Sequence, residues 1–385
     1  MTITEARSDA NVRTGTISAD SHITEPHGTY LDRIDPKFRD RAPRIMDLPA
    51  MGCTMVVDAG SKHEARVPYT MVAAAGRPPE TLGWTKGRPW EDLHPGGHDP
   101  IARLAEQDLD GVIAEVIYPS TGMIVCNHPD FDYKYACSQA YNQWIAEFCS
   151  VAPDRLVGLG QTTMRTVDDA IGELESIKSL GLRGAMMPGV PNGPDYGDPQ
   201  WDPFWRAALE LQLPLSFHIL TVKGFGGSNF RGPRMNGFMA IIRDIQDIIG
   251  TFIFTGVFDR HPELRIVAVE ADAGWAPHWM YRADHAAKRH GAWLAEAKLQ
   301  RTPSEYFREH IYMTFQDDWT AFRAADRGEL LLNPARLMWA NDHPHSDATW
   351  PWSQDVIAEQ TMGMDPAVVD RIVRRNCAEL YRIEI

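Results

Sequence analysis

From residue 99 onward the chain repeats one unit: a short apolar run, a turn, then a segment with helical spacing. "DPIARLAEQDLDG" reads as a helix with Ile101, Leu104, Ala105 and Leu109 on its apolar side, and "VIAEVIYP" follows as a strand stopped by Pro119. "LVGLGQT", "LRGAMMPG", "LPLSFHI", "LRIVAVEA", "IYMTFQ" and "LMWAND" repeat the strand signal. Between them lie helical segments, including 236–249, 251–260, 275–298, 317–327, 353–360 and 365–374. "TVDDAIGELESIKSLG" is a further helix, with Thr166 as its cap and Gly181 as its stop. The strands do not alternate apolar with polar residues, as expected of a parallel sheet covered on both faces. With the opening strand "GTISAD", the starts near 17, 113, 156, 183, 215, 266, 311 and 337 make about eight strands. The fold expected is therefore α/β, a (β/α)8 barrel, with a doubly wound open sheet as the alternative. No G-x-G-x-x-G follows the first strand, which counts against dinucleotide binding.

Two regions stand outside this rhythm. Residues 1–14 read as a loosely attached arm before a single domain, 15–385. Residues 36–98 are irregular, and we read them as an insertion after the first strand, covering the C-terminal end of the barrel as a lid, with a short hairpin at 53–68. The net charge of −14 comes without any Lys/Arg run, so nucleic acid is not an expected partner. No stretch reaches 18 apolar residues, so no membrane span is expected. The polar N-terminus lacks a signal-peptide core. Cys53, Cys126, Cys137, Cys149 and Cys377 form no C-x-x-C pair and read as reduced, mostly buried thiols of a cytoplasmic protein.

In a barrel, chemistry gathers at the C-terminal ends of the strands. The first strand ends in "DSHITEP", where alternation puts Asp20 and His22 on one face and Glu25 follows. Taken alone, Asp20-Ser21 could simply close a strand before Pro26. Other strands end in His218, in Glu270-Ala271-Asp272, and in Asn341-Asp342-His343-Pro344-His345, with Asp347 just beyond. One such residue would read as a helix cap or a hydrogen-bonded histidine. Four strand ends carrying imidazole or carboxylate read as a site for Zn, Mn or Fe. His27, His94 and His98 lie in loops with no comparable placement, and His285 and His290 fall on a helix surface.

"RLVGLGQTTMRTVDDAIGELESIKSLGLRGAMMPG", "DPFWRAALELQLPLSFHI", "GVFDRHPELRIVAVEADAGWAPHWMYRAD", "MWANDHPHSDATWP" and the terminal "NCAELYRI" together resemble the amidohydrolase superfamily. The branch resembled is that of aminocarboxymuconate-semialdehyde decarboxylase and the resorcylate-type decarboxylases, from about residue 15 to the C-terminus and most weakly over 36–98. The resemblance implies a metal held by Asp20, His22, His218 and Asp342, with Asp342 serving as ligand and base. It departs at Asp20, where the family has His or Glu, and at Ala271, where many members carry a histidine. Glu270, Asp342 and His345 are the expected proton-handling groups. Glu270, His278 and His343 are candidates for a second metal.

The activity expected is hydrolysis or non-oxidative decarboxylation of a small aromatic or acyl carboxylic acid, with Trp84, Trp90, Trp275, Trp279, Trp350 and Trp352 as an apolar wall. The alternative is a two-iron nonheme monooxygenase on the same barrel, acting on a terpenoid-type substrate. A third reading is a barrel retained only for binding. A homo-oligomer is left open.

Overall fold

The structure is a computed structural model, and it describes residues 15–222, 231–327 and 332–385. The arm expected over 1–14 lies outside the described residues. In chain order the strands are β1 (Thr16–His22), β2 (Arg44–Leu48), β3 (Gly52–Val57), β4 (Ala65–Pro68), β5 (Val112–Tyr118), β6 (Leu156–Gly158), β7 (Gly160–Gln161), β8 (Ala185–Met187), β9 (Leu215–His218), β10 (Ile266–Val269), β11 (Ile311–Phe315) and β12 (Leu337–Trp339).

Nine of them form two all-parallel sheets, ordered β1-β5-β6 and β12-β11-β10-β9-β8-β7. Single backbone bonds run between the two. Only Leu159 separates β6 from β7 in the chain, and Arg183, two residues before β8, donates to Gly158 O of β6 at 3.3 Å. At the other margin Asp342 N donates to Asp20 O at 3.0 Å and His22 N to His343 O at 2.7 Å. The fold is thus α/β with parallel strands, as expected.

The two faces of these strands carry different cores. Ile17, Ala19, Ala114, Val116, Val157, Val267, Val269 and Met338 belong to one cluster, which Tyr381 of the last helix joins. Ile117, Leu156, Leu215, Phe217, Ile266, Ala268, Leu337 and Trp339 belong to a larger one that includes the helices. Successive residues thus enter opposite clusters, which is why the strands are apolar throughout.

Several expected boundaries shift. The hairpin expected at 53–68 is a three-stranded antiparallel sheet, β2-β3-β4, beginning at Arg44. The helices expected at 236–249 and 251–260 are one helix, Met235–Phe254, followed by a turn, Val257–Arg260. They part at Gly256, whose φ of +72° suits glycine. Thr166 caps its helix as expected, accepting from Asp169 N. All five cysteines are buried and unpaired.

The helix Pro100–Asp110 departs further from expectation. Asp99 caps it, accepting from Ile101 N and Ala102 N, and Gly111 ends it at φ +70°. Its buried residues are Arg103, Gln107 and Asp110, while Ile101 and Leu109 face solvent at 64% and 67% exposure. The apolar stripe is on the outside because the inner face is a hydrogen-bonding surface. Arg103 Nε donates to Glu115 at 2.5 Å, Nη1 to His22 O at 2.8 Å, and Nη2 to His343 O at 3.1 Å. Gln107 also donates to Glu115, and Asp110 accepts from Ser353 and Asn341.

Arg103→Leu leaves the Glu115 carboxylate buried without its counter-charge, a loss of about 3–5 kcal/mol. We expect a matching drop in denaturation midpoint, partly reversed in Arg103→Leu/Glu115→Gln. If the second substitution restores nothing, the buried charge is not what the guanidinium balances.

Candidate metal centre and the residues around it

Four strand ends bring six side chains together. Asp20 and His22 are on the last turns of the β1 ladder, and His218 ends β9. Glu270 follows β10, and Asp342 and His345 follow β12. Glu270 and Asp342 take φ of +55° and +53°, values uncommon for a residue with a Cβ and often met at functional sites.

Backbone carbonyls orient the two central imidazoles. His22 Nδ1 lies 3.2 Å from Pro119 O, and His218 Nδ1 lies 3.0 Å from Ile219 O. A carbonyl only accepts, so each Nδ1 carries the proton and each Nε2 presents a lone pair. Those two Nε2 atoms face each other at 3.2 Å. Asp20 Oδ1 is 3.4 Å from His22 Nε2 and 3.6 Å from His218 Nε2. Asp342 Oδ1 is 3.6 Å from His22 Nε2, and Glu270 Oε2 is 3.3 Å from His218 Nε2. Both carboxylate oxygens of Asp20 and of Asp342 are buried and accept no hydrogen bond.

This donor set fits a divalent cation. Ligands held at about 2.0–2.2 Å from one ion stand roughly 3–3.6 Å from each other, the separations found here. Opposed lone pairs and unpaired buried carboxylates are costly unless a positive charge lies between them. Two overlapping groups satisfy the spacing: Asp20, His22, His218 and Glu270; and His22, Glu270, Asp342 and His345.

The electrostatics follow from crowding. Burial pushes Glu270 and Asp342 well above the usual carboxylate range, and neighbouring carboxylates add to it. Burial would also raise Asp20, but His218 and His22 together hold it well below. His22 and His345 are pushed down to about 3, chiefly by burial. His218 is raised, because Asp20 and Glu270 outweigh its burial.

His345 stacks on His22 with ring centroids 3.8 Å apart. Its Nδ1 is 3.1 Å from Asp342 Oδ1, and its Nε2 is 2.8 Å from Ser120 Oγ, which itself donates to Ile23 O. The buried carboxylate of Glu25 fixes Ser120: it accepts from Ser120 N at 3.1 Å, Thr121 N at 2.8 Å and Thr121 Oγ1 at 2.9 Å. Burial raises Glu25 to about 7 despite those bonds.

Two expected members lie elsewhere. His278 is exposed on the helix Ala276–Leu294, with its ring near Tyr281. His343 is buried but turns away from Asp342 toward Glu106, 2.9 Å from its carboxylate. A strand-like alternation does not continue past Asp342, whose positive φ redirects the chain. Glu270 meets His218 and His22, and Arg282 is not among its partners within the described residues.

The expected tryptophan wall is mostly packing and surface. Trp275 and Trp279 pack on Phe307, Trp90 and Trp350 contact His98 and His94, and Trp84 and Trp352 are 43% and 55% exposed. Sequence reasoning missed Arg103, Glu115, Ser120 and the role of Glu25. For Glu25 the signal was its place in the same short stretch as Asp20. For Arg103 the helix periodicity pointed to the opposite face.

A pH dependence follows. Above about pH 6.5, the ordinary histidine pKa, His22 and His345 are neutral folded and unfolded. Glu270, Asp342 and His218 keep raised values in the metal-free fold, so stability drains as pH rises through those values. Chelator-treated protein is expected to lose melting temperature from pH 7 to 9 more steeply than protein loaded with Mn2+. Parallel curves would show that the cluster does not take up the ion.

The sequence profile of the family described as Amidohydrolase matches residues 125–383, about two thirds of the chain. The chain is 26% identical over 334 residues to gamma-resorcylate decarboxylase of Rhodococcus jostii (strain RHA1), covering 80% of this chain and 96% of that one. Among solved structures it resembles amidohydrolase map2389c from Mycobacterium avium subsp. paratuberculosis K-10, with 19% identity, coverage of 95% and 99%, and a TM-score of 0.75. It also resembles a variant of 5-carboxyvanillate decarboxylase from Novosphingobium aromaticivorans DSM 12444 with bound manganese, with 17% identity, coverage of 97% and 98%, and a TM-score of 0.68. With the profile matched across all but the first of the strand ends that carry its site, this chain belongs to the amidohydrolase family.

Proposed function

We propose that the chain is a divalent-metal-dependent decarboxylase that removes the carboxyl group of a small hydroxylated aromatic acid without an oxidant. In this reading the two parallel sheets make one closed (β/α)8 barrel, joined by the backbone bonds from Arg183 to Gly158 and at Asp342 and His22. Residues 36–98 then lie over its mouth. The bonds from Ala74 N and Ala75 N to Pro344 O, and from Ser346 N to Met71 O, support that placement.

The observation that carries the reading is a division of exposure within the cluster. The side chains of Asp20, His22, His218 and Asp342 are fully buried, whereas Glu270 and His345 keep 14% and 12% of theirs exposed. In this reading the buried four hold the ion. Glu270, which both ligand-spaced groups include, stands beside it, and the two more open side chains face the substrate. Decarboxylases of resorcylate and carboxyvanillate among the similar proteins supply the substrate class.

When bound, the metal supplies an electrophilic anchor for the substrate's carboxylate and neighbouring hydroxyl. The protein's own task is to deliver a proton to the ring carbon bearing the carboxylate. That C–C bond then breaks, its electron pair returning to the ring as CO2 departs. Glu270, beside His218 and partly open to solvent, would hold the proton at its carboxyl and regain it from solvent. His345, fixed by Ser120, borders the same opening.

A two-iron oxygenase is the second reading, favoured by one feature: Glu270 belongs to both overlapping ligand groups, as a bridging carboxylate would.

Protein loaded with Mn2+ and offered γ-resorcylate or 5-carboxyvanillate under anaerobic conditions is expected to release CO2. Glu270→Gln should lower kcat by about 10²–10⁴-fold with an unchanged melting curve and metal content. Two tightly held irons, with turnover only when O2 is consumed, would replace this reading by the second. Full turnover in Glu270→Gln would remove the proton-donor role.

A further inference from the structure

A second group of metal-type donors lies apart from the first. His94 belongs to the 36–98 segment, just before the turn Pro95–Gly97, and Glu106 lies on the helix Pro100–Asp110. His343 directly follows Asp342. One donor atom of each lies within 4.8 Å of the other two.

The hydrogen bonding here is incomplete. His343 is 1% exposed, yet neither of its ring nitrogens is in a hydrogen bond. Its Nε2 is only 2.9 Å from Glu106 Oε2, and that oxygen too is buried and makes none. The two atoms are close without being aligned as donor and acceptor. Neighbouring ligands of one ion stand in that relation, since their lone pairs aim at a third point.

The remaining atoms are held in place. Glu106 Oε1 accepts from Gly96 N at 3.2 Å. His94 Nε2 is 2.7 Å from Ala75 O, so it carries the proton and leaves Nδ1 as a lone pair. The Trp350 ring, 5.1 Å from His94 and 5.4 Å from His343, walls the group with apolar surface. The nearby Arg103 charge is matched by Glu115 at 2.5 Å.

We propose that His94, Glu106 and His343 form a second, structural site for a divalent transition-metal ion such as zinc, separate from the cluster at the strand ends. Two neutral imidazoles and one carboxylate suit such an ion, with water completing its coordination. Its ligands come from two stretches far apart in sequence, one carrying His94 and Glu106 and the other His343. An ion there would tie the 36–98 segment and the helix Pro100–Asp110 to the loop carrying Asp342, and because the site exists only in the folded chain its binding would stabilise the fold.

The test is metal content after Zn2+ loading and dialysis, in wild type, Glu106→Gln, His94→Ala, His218→Gln and Glu106→Gln/His218→Gln, with folding followed by circular dichroism. Glu106→Gln and His94→Ala are each expected to hold one equivalent less than wild type. Glu106→Gln is expected to remove one further equivalent in the His218→Gln background. Equal metal in wild type and both single variants would overturn the proposal. So would a loss from Glu106→Gln that disappears in the His218→Gln background, because the ion lost would then be that of the strand-end cluster. Glu106→Gln preserves the shape of the glutamate. If His94→Ala proves unfolded, Glu106→Gln alone therefore decides.

Discussion

Two imidazole lone pairs facing each other at 3.2 Å set the terms for the mouth of this protein. Neither ring can turn aside, because Pro119 O and Ile219 O hold the opposite nitrogens. With Asp20 and Asp342 adding buried, unpaired oxygens, the arrangement is favourable only around a cation. Packing and hydrogen bonds a full layer away serve to keep this otherwise repulsive group assembled. The left-handed backbone at Glu270 and Asp342 is one local cost of doing so.

The layer behind the donors is polar where most helix–strand contacts are apolar. Ser18, Ser21 and Asn341 bond across between β1 and the chain after β12, and Arg103 spans both. Asp110 and Glu115 reach the same asparagine. These groups satisfy one another, so their burial gives directional specificity that aliphatic side chains could not provide.

The sequence made the parallel α/β organisation legible because both faces of each strand are buried, and a run such as "RIVAV" admits few other readings. Asp20, His22, His218 and Asp342 were legible for a related reason: a charged or imidazole group ending an apolar run has to be explained by something beyond packing. Glu270 was legible as a site residue but not in its partners, since its left-handed conformation turns it toward His218. His343 and His278 do not join the strand-end cluster, because nearness in sequence does not survive a sharp turn or a helix face. The inner surface of Pro100–Asp110 was hidden altogether. Amphipathic spacing marks the apolar side of a helix, and here that side faces solvent while Arg103 and Gln107 are buried.

Arg103 grips main-chain carbonyls, those of His22, His343 and Gly96, and no side chain at the centre itself. A clamp on the backbone is indifferent to which side chain each strand end presents. The strand ends can therefore exchange one donor for another without loosening the frame that aims them. The architecture separates where the chemistry happens from what the chemistry is, and a scaffold of that kind can diversify its reactions by single substitutions.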